Sequence, residues 1–491
     1  ACGSDDTDSA AAAGKEGGTL RWAINANNSW DPVTSAAGNE VRHLSLVYEA
    51  LTHLDEQGDP TPGLAETWDY SADGKTLTFH LREGATFSDG TPVDAAAVKK
   101  SLDRAQQQKG SVLVQNLVTI KTTKVVDPET VALSLTQKDY GLPLILGGKA
   151  GMIVSPKAID AGVEKLPQKP VGAGPFKLTK FIPDGSSSLV RNTTYWNAKD
   201  IHLDGVELKY LADPQAVLAG LQSGSIDLAS STGDQVKAAE QAGLVVQQGA
   251  SLAATSIEVN DAIEPFDKPK VAQAVNYALD RAALLKTQNG GVGEVSYQPF
   301  PKGYVGYSEE VANLYPRDVA KAKQLLAEAG YPNGVTIPIT YFDLGPYKAI
   351  AEQIQAQLGE AGIKSKLQSL PLAQASARVY VKHDVAFNPN GIVGRESPLQ
   401  MLNVQYGEEG LLNPGRKASD ELTALLAKTA TYPLDSEEYK RSLQATTALA
   451  AKESAVVFLY TQPTVWLKTK KVSGLRDYVV AARLEGVRLA G

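Results

Sequence analysis

Residues 63–105 read GLAETWDYSADGKTLTFHLREGATFSDGTPVDAAAVKKSLDRA, and this stretch decides the fold. Asp73-Gly74 is a tight-turn dipeptide, since glycine accepts the positive φ such turns demand. Leu77, Phe79 and Leu81 then alternate with Thr78, His80 and Arg82, the period-two pattern of a half-buried strand. Asp89-Gly90 marks a second turn. Asp94 stands where a helix N-cap belongs, and Val98, Leu102 and Ala105 share one face of the helix that follows.

Working outward, the stretch TLRWAI at 19–24 reads as a strand and leads into the polar loop NANNSWDPVT at 25–34. Helical spacing of Leu44, Val47 and Leu51 predicts a helix over 42–51. Downstream, strands are expected at 119–126 and 130–135, parted by the turn Asp127-Pro128-Glu129. The run GAGPF at 172–176 lacks both G-x-G-x-x-G and a P-loop lysine, so its glycines read as turn residues. Asp213-Pro214 opens a helix that Gly224 stops, and a short strand follows at 226–228. From about 259 the helices dominate. One is expected from Asp267 through Leu285, with Val271, Ala274, Val275, Ala278 and Ala282 at helical spacing. Asp318 caps another, 347–362 forms a third, and 419–431 and 436–452 form two more, the last opened by an Asp435…Glu438 capping box. VVFLYT at 456–461 is an apolar strand. Strands alternating with helices predict mixed α/β sheets with helices packed on them.

The 491 residues exceed what one hydrophobic core organises, so several domains are expected. Apolar content of 43% and charged content of 21% are those of an ordinary globular protein. No run approaches the length of a membrane span. A net charge of −7, with no Lys/Arg-rich run, argues against a nucleic-acid partner. The single cysteine, Cys2, excludes an internal disulfide, and the small, acidic stretch that follows reads as a flexible tether over 1–18.

The order and residue types of 63–105 resemble the signature of oligopeptide/dipeptide-type extracellular solute-binding proteins of ABC importers (family 5, cluster C). Further resemblances are Tyr48-Glu49-Ala50-Leu51, Asn192-Thr193-Thr194-Tyr195-Trp196, the run from Gly220 to Asp227, and Ala274-Val275-Asn276-Tyr277-Ala278-Leu279-Asp280-Arg281. Ala173 departs mildly from the family's G-T-G-P. The resemblance implies a two-lobed, periplasmic-binding-protein-like clamp with a hinge and an extra subdomain in the first lobe. The expected division is 19–51, 171–258 and 467–491 as the first-lobe core, 52–170 as the extra subdomain and 259–466 as the second lobe. It also implies a monomeric receptor on the extracytoplasmic face of a bacterial membrane, delivering a peptide or peptide-like solute to an ABC permease, without cofactor or catalysis. Ala1-Cys2-Gly3 resembles the end of a lipoprotein signal, which makes Cys2 the expected lipid-bearing residue.

The search for catalytic constellations yields no H-E-x-x-H, C-x-x-C or G-x-S-x-G. His53-x-Asp55 and His202-x-Asp204 are isolated pairs, so no metal site is expected. A clamp instead needs a mostly apolar cleft with a few fixed polar groups. In the 25–34 loop, Asn27 and Asn28 offer donors and acceptors, and Trp30 offers a flat face, unless it packs beneath its own loop. The second candidate is HDVAFNPNGIVGRESPLQM at 383–401, with Asn388, Arg395 and Glu396. Here the family pattern places a tryptophan and an aspartate where this chain has Gly391 and Gly394. The resemblance assigns that aspartate to the peptide amino group, so Glu396 is the substitute carboxylate and Arg395 a partner for a ligand carboxylate. An Arg–Glu surface pair is the alternative. The third candidate is YTQPTVW at 460–466, with Tyr460, Gln462 and Trp466, the last equally suited to hinge packing. Tyr297, in the Gly-rich loop 290–301, is placed to cover one end of a ligand. An oligosaccharide or other small solute remains open as the ligand, and a secreted hydrolase or solute-sensing receptor as the function.

Overall fold

The computed structural model describes residues 14–491, and Cys2 with most of the expected tether lies outside the described residues. Within the signature the expected elements form. Strands Ala65–Tyr70, Thr76–Leu81, Thr130–Leu135 and Ile120–Asp127 make a four-stranded antiparallel sheet in that order. The helix Ala95–Gln107 starts at Asp94, whose side chain accepts from the Ala97 N–H at 2.9 Å. Leu77, Phe79 and Leu81 point into the core that this helix covers. Gly74 holds φ +70°, a left-handed conformation open to glycine at little cost.

The first lobe is built on a seven-stranded sheet. Its order is Val245–Gly249, Thr464–Lys468, Leu228–Ser231, Thr19–Ile24, Gly205–Tyr210, Ser186–Arg191, Phe176–Ile182. Thr19–Ile24 runs parallel to both of its neighbours, and the other pairs are antiparallel. The second lobe holds the antiparallel sheet Phe387–Ile392, Ala254–Val259, Val457–Thr461 and the parallel pair Val335–Phe342 with Ile363–Leu370, joined through the helix Tyr347–Glu360. Each lobe has its own apolar core. The chain is thus a mixed α/β protein of two lobes with an additional subdomain.

The strand pairing moves the expected crossings. Ala254–Val259 lies wholly in the second-lobe sheet and Thr464–Lys468 wholly in the first, so the chain crosses at 250–253 and 462–463 rather than at 258/259 and 466/467. The helix expected over 267–285 is two helices, Pro269–Ala278 and Arg281–Asn289. Pro269 opens the first without a side-chain cap at Lys268, and Asp280 caps the second by accepting from the Ala283 N–H. The helix Glu437–Glu453 is capped by Ser436, not by an Asp435 box. The helix after the 25–34 loop ends at Val47. There Gly172 and Gly174 lie flat against the backbone: a Cβ on Gly174 would stand 2.5 Å from the Val47 carbonyl carbon. The Gly-x-Gly run therefore serves close packing, and Gly174 N–H donates to the Val47 carbonyl.

The 25–34 loop is bolted to the signature helix. Asp31, fully buried, accepts from the Val33 N–H and forms an ion pair with Arg104, itself nearly buried. Removing one member of a buried pair strands the other's charge. Asp31→Ala is therefore expected to destabilise the first lobe by ~3–5 kcal/mol in urea unfolding, and a loss below about 1 kcal/mol would show that the pair is dispensable.

Candidate functional site

Strand direction fixes where a site can form. Thr19–Ile24 and Leu228–Ser231 are parallel, and Val245–Gly249 points the same way because both it and Leu228–Ser231 run antiparallel to Thr464–Lys468. Their carboxyl ends form one rim, at 25–28, 230–232 and 249, from which the chain crosses to the second lobe. Ligands in open α/β sheets sit outside such carboxyl ends. The facing rim of the second lobe is made by Thr255, Tyr460 and Gly391, which occupy one level of its sheet. A cavity of about 340 Å³ opens beside the crossings, lined by Gly249, Ser251, Glu294, Thr461 and Pro463 among others.

The lobes touch on two sides of these rims. On one side a Cβ on Gly233 would stand 2.6 Å from the Asn289 carbonyl oxygen. On the other, Tyr140 N–H donates to the Ala430 carbonyl at 3.2 Å, and the Glu396 carboxylate lies over Gly148. A Cβ on Gly38 would come within 3.0 Å of Val393. The segments 35–42 and 393–396 thus face each other.

Several expected residues line this region. Gln462 Nε2 donates to Thr255 Oγ1 at 2.5 Å. Tyr460 is buried beside the same threonine, and burial pushes its hydroxyl up to about 12, the hydrogen bond with Thr255 opposing. Asn28 is exposed, and its amide reaches Glu40 at 3.5 Å. Asn27 is buried with its Nδ2 unpartnered. Arg395 is partly buried, and its Nε has no hydrogen-bond partner. Burial raises the Glu396 carboxyl above its ordinary value, against the pull of Arg395 and Lys149. Among the described residues Arg395 and Glu396 form no salt bridge, and Arg395 acts on the Glu396 carboxyl only through its field.

Four expected residues lie elsewhere. Trp30 is fully buried, edge-on to His43 and Phe181, in the first-lobe core, so it offers no face to the cleft. Trp466 packs on Trp22 at a centroid distance of 5.7 Å. Tyr297, half-buried, lies over the Arg281 guanidinium at 4.4 Å and edge-on to Tyr315 on the second lobe. Asn388 is buried beneath the rim, donating to Glu258 Oε2 at 3.1 Å.

Sequence reasoning missed two groups. One is a polar floor under the second-lobe rim. Glu258, buried, accepts from Asn388, from Asn390 at 2.9 Å and from Tyr380 at 3.4 Å, with no cation paired to it among the described residues. Asn390 also neighbours Tyr347, whose hydroxyl accepts from the Gly391 N–H at 3.0 Å. The strand pattern F-N-P-N-G at 387–391, polar at alternate positions inside an apolar sheet, was its signal. The other is Arg42, which bonds Ser230 Oγ at 3.2 Å on the first-lobe rim and the Asn39 carbonyl at 3.4 Å.

The geometry defines a binding clamp: two lobes, two adjacent crossings, and opposed polar rims. Comparison with known proteins agrees. The chain matches bacterial extracellular solute-binding proteins, family 5 middle, over residues 59–409, and belongs to that family. Over 336 residues it is 31% identical to the glutathione-binding protein GsiB of Escherichia coli O1:K1, an alignment covering 68% of this chain and 65% of GsiB. The chain therefore spans just under two thirds of that relative's length. It superposes on the ABC transporter-associated periplasmic binding protein DppA of Helicobacter pylori in complex with the peptide STSA, with a TM-score of 0.85, 26% identity, and coverage of 97% of this chain and 99% of DppA. The protein AgaA of A. tumefaciens R10, in complex with agropinic acid, gives 0.83 and 26%, over 96% of this chain and 99% of AgaA.

Burial raises the Glu258 carboxyl above 4.5, and the Asn390, Asn388 and Tyr380 hydrogen bonds only partly oppose it. A raised folded value stabilises fully below the unfolded value and is lost as pH rises through the folded one. Glu258→Gln, which removes that charge and keeps the shape, is expected to raise the melting temperature at pH 8 more than at pH 4.5. An equal shift at both would place the cause elsewhere than in the charge.

Proposed function

We propose that this chain is the solute receptor of an ABC importer, taking a peptide or peptide-like solute between its lobes and presenting the closed form to a membrane permease. The observation that carries this reading is the pair of opposed polar rims joined by two adjacent chain crossings, in a member of this family. Closure about such crossings brings both rims onto one solute. The rims offer Gln462, Asn28 and the Gly391 backbone, with Thr255 and Tyr460 buried directly behind them, which are donors and acceptors suited to an extended main chain rather than to particular side chains. The names of the relatives, which bind glutathione, a peptide and agropinic acid, support small acidic or peptide-like solutes. The receptor acts outside the cytoplasm, as a monomer, held to the membrane by lipid on Cys2, and it releases its solute unchanged.

Binding without turnover is the test. On mixing with a random tripeptide pool, the protein should retain a subset that elutes chemically intact, and small-angle scattering should show a smaller radius of gyration. Cleaved products in the eluate would favour a hydrolase instead. For the anchor, a precursor carrying Cys2→Ser should be released from cells, and its retention at the membrane would reject lipid attachment.

A further inference from the structure

The segments 35–42 and 148–149 of the first lobe and 393–396 of the second meet at one end of the cleft. They bring three cations together, Arg42, Lys149 and Arg395, against two carboxylates, Glu40 and Glu396. Neither carboxylate forms a salt bridge with an arginine among the described residues, although Arg395 stands near enough to Glu396 to draw its carboxyl down. Glu40 is buried and accepts from Ser35 Oγ at 2.8 Å and, distantly, from Asn28. Glu396 is turned onto Gly148. Lys149 is satisfied by the backbone, donating to the Ser35 and Ala37 carbonyls at 2.9 and 2.5 Å. His43, beside Arg42, adds no charge of its own: burial lowers its value to about 4, so the ring is neutral near neutral pH.

Arg42 and Arg395 are left. Neither forms an ion pair among the described residues. Arg42 reaches only a serine hydroxyl and one carbonyl, both at long distance, although a guanidinium carries five donors. Arg395 Nε is buried and bonds nothing. Elsewhere in this fold buried guanidinium groups are provided for. Arg104 has Asp31, Arg483 has Glu485, and Arg281 has the Phe458 and Asn276 carbonyls and the Tyr297 ring. Burial drops the Arg42 value to about 10, with no acid near enough to restore it. A partly desolvated cation without its anion is costly, and it persists where a ligand supplies the missing charge.

We propose that Arg42 and Arg395, one from each lobe, form a two-sided clamp for carboxylate, so that the preferred solutes are net-anionic small molecules carrying at least two carboxyl groups. This rests on the reading of the chain as a solute receptor and names the class of solute. Two planar guanidinium forks accept carboxylates in bidentate fashion, which a lysine at either place would not reproduce. Because the two arginines lie on different lobes, an anion between them also offsets the repulsion that closure would otherwise bring.

The test is capture from an equimolar pool of trialanine, glutathione, glutathione dimethyl ester, Glu-Ala-Glu and Lys-Ala-Lys, analysed by native mass spectrometry, followed by calorimetry on the tightest member with Arg42→Gln and Arg395→Gln. The expected result is retention of glutathione or Glu-Ala-Glu over the ester and Lys-Ala-Lys, weakened roughly 10- to 100-fold by either substitution. The ligand-free melting temperature should not fall, so that a folding defect is distinguishable. Arg42→Lys should remain impaired. Preferential retention of trialanine, the ester or Lys-Ala-Lys, or full affinity in both Gln variants, overturns the clamp and leaves the receptor reading standing. Retention of no member counts against both.

Discussion

Much of the first lobe hangs on one buried carboxylate. Glu49 follows the short helix Val41–Val47 and is fully excluded from water. Its Oε2 accepts from the Tyr195 hydroxyl at 2.9 Å and the Trp196 indole at 2.6 Å, and its Oε1 is bonded by His53. Arg82, at the end of the signature strand, lies over Trp196 at 3.5 Å. Arg483 and Glu485 of the carboxyl-terminal tail close the cluster through Tyr195. Burial alone would raise the Glu49 carboxyl, yet His53, Arg483 and the Trp196 hydrogen bond hold it down at about 2. Four stretches far apart in sequence are therefore tied to one charge, and the subdomain of the signature is fastened to the lobe core through Arg82 and Trp196. Arg42 lies seven residues upstream of Glu49, on the helix Val41–Val47 that leads into it.

The division of labour between frame and site follows. The stretches at 48–51, 172–176, 192–196 and 63–105 are frame: they supply Glu49, the close-packed Gly174, Tyr195 with Trp196, and Arg82. The groups proposed to meet a solute are on the loops at the carboxyl ends of strands and on 391–396. Rigid elements hold these loops at both ends, through Asp31 with Arg104 and through the Glu258 network.

Local signals made the frame legible. Asp94, Asp213 and Asp318 cap helices as side-chain chemistry demands, and the alternation of Leu77, Phe79 and Leu81 gave the right face of the right strand. The failures have a common cause in contacts remote in sequence. Trp30 in a polar loop looks available, but the rings that enclose it, His43 and Phe181, come from elsewhere. The apolar rhythm of 271–285 runs through a break that Asp280, a capping residue, marks. Arg42 carried no local signal beyond its place shortly after a strand's carboxyl-end loop, because what distinguishes it is the absence of an acid in three dimensions.

The two crossings have a mechanical meaning. Val245–Gly249 and Thr464–Lys468 are neighbours in one sheet, Ala254–Val259 and Val457–Thr461 are neighbours in the other, and Gln462 N–H donates to the Ala253 carbonyl at 2.8 Å between them. The lobes are therefore joined by a single two-stranded ribbon that passes from sheet to sheet without parting. Such a ribbon flexes across its flat face and resists shear in its own plane, as a leaf spring does. Bending about the line of the ribbon is the motion that such a joint favours.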